Sequence, residues 1–261
     1  MNPRHGFVTQ QGLDLEEQLS FAADEGFDYV EILVDGEVNV NRLDAQRSII
    51  TDALSAGDLD LVVHLPFPTD IGSPYEEIQH GAVETQKRCI ETAVDLGAEK
   101  GVLHPESSAW DVAWEPATLR PHVDDAVQEL VEFGTERGFE ICAENIFGSV
   151  YTIEAIDGLL ANTDTAMTLD TGHARITGFD ASETASFVET HADRISHVHL
   201  NDTRGPSDEH LPFGAGTIDF EVIFDAFPSD WTGTLSLEIA TESYDYLRHS
   251  KAALDGLLRE R

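Results

Sequence analysis

An α/β architecture, a single (β/α)8 barrel of parallel strands, is expected from three features of this chain. Short β-like apolar runs alternate with longer helical ones from end to end, which is the pattern of a parallel sheet buried by helices. The strand-like runs number eight, and the 261 residues suit the roughly 250 that one eight-fold barrel needs. No GxGxxG follows the first strand, which counts against a doubly wound dinucleotide fold.

In chain order, strands are expected at 6–9, 29–34, 59–66, 101–104, 140–145, 166–171, 195–201 and 234–239, with helices between them. Asp14-Leu15-Glu16-Glu17 reads as a capping box opening a helix whose Leu15, Leu19, Ala22 and Ala23 share a face. Ser73-Pro74-Tyr75-Glu76 reads as a second box, with Pro at the first helical position. The helix behind it puts Cys89 on a stripe with Ile90, Ala93, Val94 and Leu96, so Cys89 reads as core. Val123, Ala126, Val127, Leu130 and Val131 mark the next helix, and Leu247, Leu254, Leu257 and Leu258 the last. No linker or low-complexity segment breaks the alternation, so residues 1–261 read as a single domain.

Composition narrows the function classes. There are 50 Asp+Glu against 15 Lys+Arg, a formal charge of −35, spread evenly along the chain. Like charge at this density destabilises a compact state at ordinary ionic strength, whereas molar salt shortens the Debye length to ~3 Å and screens it. The expectation is an intracellular protein of an extreme halophile. Without a basic cluster to displace counterions from phosphates, the chain is a poor candidate for binding nucleic acid. The longest apolar stretch, 59–68, is interrupted by Asp60 and His64 and falls far short of the ~20 residues of a membrane span. Cys89 and Cys142 make no disulfide framework, and the N-terminus carries no apolar signal segment. A soluble, cytoplasmic protein is expected.

The chemistry gathers at the strand ends. In a (β/α)8 barrel, polar residues at the C-terminal ends of strands point into the mouth where active sites are built. Strand by strand these are Glu31, His64, His104, Glu144, Asp170 with His173, His199 and Glu238; the loop after strand seven adds Asp208-Glu209-His210. Parity supports a shared inner face: Cys142 and Glu144 alternate with Ile141 and Ala143, Ser236 and Glu238 with Leu235 and Leu237, and His197, His199 and Asn201 with Val198 and Leu200. Any one of these, taken alone, reads as a satisfied core or surface residue. As a set, crowded carboxylates and imidazoles repel one another and lose hydration, and a divalent cation relieves both penalties. His with Asp/Glu suits Zn²⁺, Mn²⁺, Co²⁺ or Mg²⁺.

The motifs His64-Leu65-Pro66-Phe67, His104-Pro105-Glu106, Glu144-Asn145, Asp170-Thr171-Gly172-His173, His197-Val198-His199-Leu200-Asn201-Asp202 and the run 208–216 together resemble the xylose isomerase-like TIM barrel superfamily. That superfamily includes sugar and sugar-phosphate isomerases and epimerases as well as endonuclease IV. The resemblance implies one metal on Glu144, Asp170, His199 and Glu238, with Glu144 and Glu238 as acid/base groups and His173 and Arg204 on substrate oxygens; Glu31 is a further substrate or supporting group. It implies metal-assisted proton transfer on a small sugar or polyol through an enediolate, with no nucleotide cofactor and an oligomer left open. In the nuclease, the same four positions with those matching His64, His104, His173, Asp208 and His210 hold three zincs, and all nine residue types are present here.

Other features resemble the nuclease less. The chain begins His5-Gly6-Phe7-Val8-Thr9 instead of Gly-Ala-His-x-Ser, and continues Ile146-Phe147-Gly148 where the nuclease has Thr-Ala-Gly. Its 69–77 loop carries Asp70, Glu76 and Glu77 and no cation. The isomerase or epimerase reading is therefore preferred to an apurinic-site endonuclease. The Gly-rich segment 213–217 lies where many barrels bind phosphate, but reads more simply as a turn and helix cap. From the acidity, the thermal midpoint should rise on going from about 0.1 M to about 3 M KCl; a midpoint unchanged or lowered by salt would contradict the halophilic expectation.

Overall fold

The structure, a computed structural model, describes residues 1–259. The strands are β1 (Arg4–Phe7), β2 (Tyr29–Leu33), β3 (Asp60–His64), β4 (Lys100–Leu103), β5 (Glu140–Glu144), β6 (Ala166–Asp170), β7 (Ile195–Leu200) and β8 (Thr234–Leu237). They pair in parallel in the order β1-β8-β7-β6-β5-β4-β3-β2. The last seam is lighter: β1 and β2 meet through a parallel bridge between Val8 and Glu31, with Thr9 N donating to Glu31 O at 2.9 Å. A (β/α)8 barrel results.

Among the described residues the α-helices are α1 (Leu15–Asp24), α2 (Arg47–Gly57), α3 (Glu76–Asp95), α4 (Pro116–Thr135), α5 (Ile156–Asn162), α6 (Thr171–Thr177), α7 (Ala181–His191), α8 (Phe220–Asp225) and α9 (Tyr244–Arg259). Asp14 caps α1, accepting from Glu17 N at 3.0 Å. The second capping box does not form. Helix α3 starts at Glu76 without a side-chain cap, because the Ser73 hydroxyl accepts from Tyr75 N (3.4 Å) in the preceding loop instead of from Glu76 N. Cys89 is fully buried in the apolar cluster between sheet and helices.

Alternation along the strands divides two environments. Ile32, Leu61, Val63, Leu103, Ile141, Ala143, Met167, Leu169, Val198, Leu200, Leu235 and Leu237 face the helices and form the main core. The opposite parity fills the barrel with polar side chains: Tyr29, Glu31, His64, Glu144, Thr168, Asp170, His197, His199, Thr234 and Ser236 are all buried. Buried polar groups require partners, and Tyr29, Glu31, His197, Thr234 and Ser236 find them in one another. Gly6 of β1 makes room for one of them: a Cβ there would lie 2.5 Å from Tyr29 O and 2.6 Å from its ring.

Ion pairs tie down the N-terminal end of the barrel. Arg4 bridges Asp60 and Glu99, while Lys100 Nζ lies 3.1 Å from Glu140 and donates to Ser196 Oγ at 2.7 Å. His5 joins β1 to Asp28 (2.6 Å) and to Asp255 of α9 (2.9 Å). Burial opposes the charge on His5, yet its bonds to Asp28 and Asp255 carry the net shift above the ordinary 6.5. A raised folded-state pKa gives stability that is complete below the unfolded value and lost as pH rises through the folded one. His5→Gln should therefore lower the urea midpoint relative to wild type more at about pH 5.5 than at about pH 9; an equal loss at both would contradict the ion-pair account.

Candidate active site

The strand ends deliver donors to one rim. Glu144, Asp170 and His64 are the last residues of β5, β6 and β3; His199 is next to last in β7; His104 and Glu238 directly follow β4 and β8. Around His199 Nδ1 lie Glu238 Oε2 at 3.2 Å, Glu144 Oε1 at 3.3 Å and Asp170 Oδ2 at 3.9 Å. These four residues present ligand atoms within 4.8 Å of one another and could hold a metal ion. Two further groups adjoin them: His64, His104 and Glu144, and, from α6 and the β7–α8 loop, His173, Asp208 and His210.

Each imidazole is anchored through one ring nitrogen. A carbonyl oxygen only accepts, so each bond to one fixes an N–H. His64 Nδ1 donates to Leu65 O (3.0 Å), His173 Nδ1 to Asn145 O (3.0 Å) and His210 Nδ1 to Glu238 O (3.1 Å). In each, Nε2 is left to face a carboxylate: Glu144 at 3.8 Å from His64, and Asp208 at 3.6 Å from His173 and 2.9 Å from His210. His199 is reversed, with Nε2 on Glu31 Oε1 at 3.1 Å and Nδ1 toward the rim. Metal-ligating histidines show this same division of labour between their two nitrogens.

Two asparagines orient Asp170. Asn145 accepts from Asp170 N (2.9 Å) and donates to Asp170 O (3.1 Å); Asn201 Nδ2 donates to Asp170 Oδ2 (2.8 Å). Asp170 also caps α6, its Oδ1 accepting from His173 N. One residue thus ends the strand, starts the helix and fixes the separation of Asp170 and His173.

Charge crowding leaves a clear imprint. Burial, with Glu238 and Glu144 close by, pushes the Asp170 carboxyl up to about 7 against the pull of His173. Burial opposes charge on His104 and His210, but Glu106 and Glu144 hold the first at about 9, and Glu238 and Asp208 hold the second at about 10. Glu144 Oε2, Glu238 Oε2 and His199 Nδ1 are buried without a hydrogen-bond partner. Such orphans are costly. All three belong to the four-residue group, and a divalent cation bound by oxygen and imidazole nitrogen would satisfy them.

Two expected substrate contacts are placed differently. Arg204 lies exposed on the β7–α8 loop with its guanidinium paired to Glu209 at 2.6 Å. Glu31 is fully buried, its carboxylate occupied by His197, His199 and Ser236. The His197 and His199 imidazoles overcome its burial and hold it well below the usual carboxylate range. The Gly-rich 213–217 segment is indeed a turn, and its organiser is Asp202, which sequence reasoning missed. Asp202 accepts from Thr203, Gly214, Gly216 and Ile218 N–H groups, so the chain's own carboxylate takes the donors that a phosphate would need. The parity of Asn201 with His197 and His199 was the legible hint of its support role.

Phe67 and Phe147, also missed, wall the rim. The Phe67 ring lies 5.2 Å from that of His104, and Phe147 lies 5.1 Å from His173. A concavity of about 920 Å³ opens at the opposite end of the barrel beside Lys100, Arg194 and Trp231, and contains none of the rim donors.

The chain belongs to the xylose isomerase-like TIM barrel family, whose pattern matches residues 19–260. It is 25% identical over 243 residues to L-ribulose-5-phosphate 3-epimerase UlaE of Shigella boydii, covering 87% of this chain and 82% of that one. It is 27% identical over 190 residues to a probable endonuclease 4 of Enterococcus faecalis, covering 63% and 60%. A solved D-tagatose 3-epimerase-like protein superposes with a TM-score of 0.82 at 24% identity, over 98% of this chain and 97% of that one, a likeness of fold.

A Cβ on Gly172 would fall 1.9 Å from Asn201 Oδ1. Gly172→Ala should push Asn201 away from Asp170 and cost about 1–3 kcal/mol of stability; chemical denaturation with no measurable loss would show that Asn201 moves freely.

Proposed function

We propose that this protein is a divalent-metal-dependent sugar isomerase or epimerase that moves a proton on a carbon next to a carbonyl. The carrying observation is the convergence of Glu144, Asp170, Glu238 and His199 Nδ1, with Glu238 Oε2 and His199 Nδ1 facing each other, both buried and without a hydrogen-bond partner. Epimerases among the proteins it resembles support the reading. A divalent cation on these four residues would supply positive charge that acidifies the carbon acid.

The remaining work falls to the chain. Glu144 and Glu238 take and return the proton, each steered by its imidazole neighbours: His104, His173 and His199 for Glu144, His199 and His210 for Glu238. His173 binds a substrate oxygen through Nε2, its Nδ1 being committed to Asn145 O. Phe67 and Phe147 cover apolar faces of the ligand and limit access of bulk water.

A second reading rests on one observation: the nine nuclease-type residues fall into three adjoining donor groups, enough for three metal ions. Elemental analysis with activity assays separates the two. The preferred reading expects one or two metals per chain and solvent deuterium incorporation into a ketose. Three zincs with nicking of abasic DNA at high salt would replace it with the endonuclease.

Glu238→Gln should cut proton exchange by about 10²–10⁴-fold with far-UV circular dichroism unchanged, and retained exchange would remove Glu238 from its role. Chelation should abolish exchange, and re-addition of the metal should restore it.

A further inference from the structure

Beneath the rim lies a closed polar assembly of which the proton-transfer reading uses only His199. Tyr29 and Glu31 reach inward from β2, His197 and His199 from β7, and Thr234 and Ser236 from β8, and all six are fully buried. Glu31 Oε1 receives His199 Nε2 at 3.1 Å; Glu31 Oε2 receives His197 Nε2 at 3.0 Å together with the Ser236 hydroxyl. Tyr29 Oη and Ser236 Oγ are 2.9 Å apart, and Thr234 Oγ1 is 2.6 Å from His197 Nδ1. Every anchor of Glu31 lies on another strand, so the carboxylate is held without reference to any ligand.

From this geometry we infer that Glu31 is a positioning residue, which acts through His199 by fixing its Nε2–H and so presenting the Nδ1 lone pair to Glu144, Asp170 and Glu238. His199 has two ring nitrogens and only one can face the rim as an acceptor. Bonded to Glu31, Nε2 keeps its proton, so Nδ1 is the nitrogen left for a cation, and the negative charge behind the ring makes it a stronger donor. His197 shares the carboxylate and blocks its rotation. The same lattice places Glu31 beneath His199, with no exposed surface from which to touch substrate.

The inference rests on the metal reading above, and the experiment separates the two. The protein is labelled with ¹⁵N-histidine, stripped of metal and titrated with Zn²⁺ and with Mn²⁺. The His199 ¹⁵N resonances of the Zn²⁺ titration isolate its donor group from that of His173, Asp208 and His210. Wild type should show a protonated Nε2 before and after Zn²⁺, with Nδ1 shifting on binding. Glu31→Gln offers one acceptor where the carboxylate served two imidazoles and a hydroxyl, and should weaken Zn²⁺ and Mn²⁺ binding by about 10–100-fold in chelator competition.

Equal affinity in a folded Glu31→Gln protein, or a wild-type His199 that is unprotonated at Nε2, overturns the positioning role while leaving the metal reading intact. Wild type that binds neither cation overturns both. Should the variant fail to fold, the wild-type nitrogen assignment decides alone.

Discussion

Three carboxylates that meet at one imidazole nitrogen set the terms for the rest of this molecule. Glu144, Asp170 and Glu238 approach His199 Nδ1 in a largely buried space, where unpaired negative charge is expensive. The chain spends much of its buried polar inventory holding that arrangement. Asn145 and Asn201 clamp Asp170, four imidazoles are each anchored through one ring nitrogen, and Glu31 braces His199 from below. The unpartnered atoms at the centre are the point where these supports run out and an added positive charge would complete them.

The barrel tolerates this because it separates structural from chemical duties along its axis and across its wall. Outward parity supplies continuous apolar packing against the helices, so the interior need not be aliphatic to be stable. At the N-terminal end, the ion pairs of Arg4, His5 and Lys100 join strands to one another and to α9. At the C-terminal end, the polar groups point to one another or to empty space instead. The β7–α8 loop follows a similar economy: Asp202 gathers four backbone N–H groups and shapes the segment that presents Asp208 and His210. Hydrogen bonds to a charged acceptor contribute about 1.5–3 kcal/mol each, so this loop is well tethered.

The family includes proteins of different chemistry, and the rim accounts for that breadth. The four donors about His199 are flanked on either side by a group able to take another ion. Small changes in which groups fill, and in what lines the mouth, would alter the reaction without altering the barrel. Here Phe67 and Phe147 line it, and the nearby Arg204 is neutralised by Glu209.

Local pattern alone was enough to read the eight strands and the inward set at their ends, because side-chain direction in a strand has a period of two and needs no knowledge of distant residues. His64, His104, Glu144, Asp170, His199 and Glu238 were legible on that ground, and Cys89 was legible as core from its helical spacing. The closing of the cylinder decided what no local period encodes. It carried Glu31 across to His197 and His199, gave Arg204 to Glu209, turned Asp202 onto a glycine-rich loop, and moved the start of α3 past Ser73. The first of these joins residues 168 apart, a separation that only the closed, staggered sheet sets; the others are made within single loops, whose backbone course has no period to read.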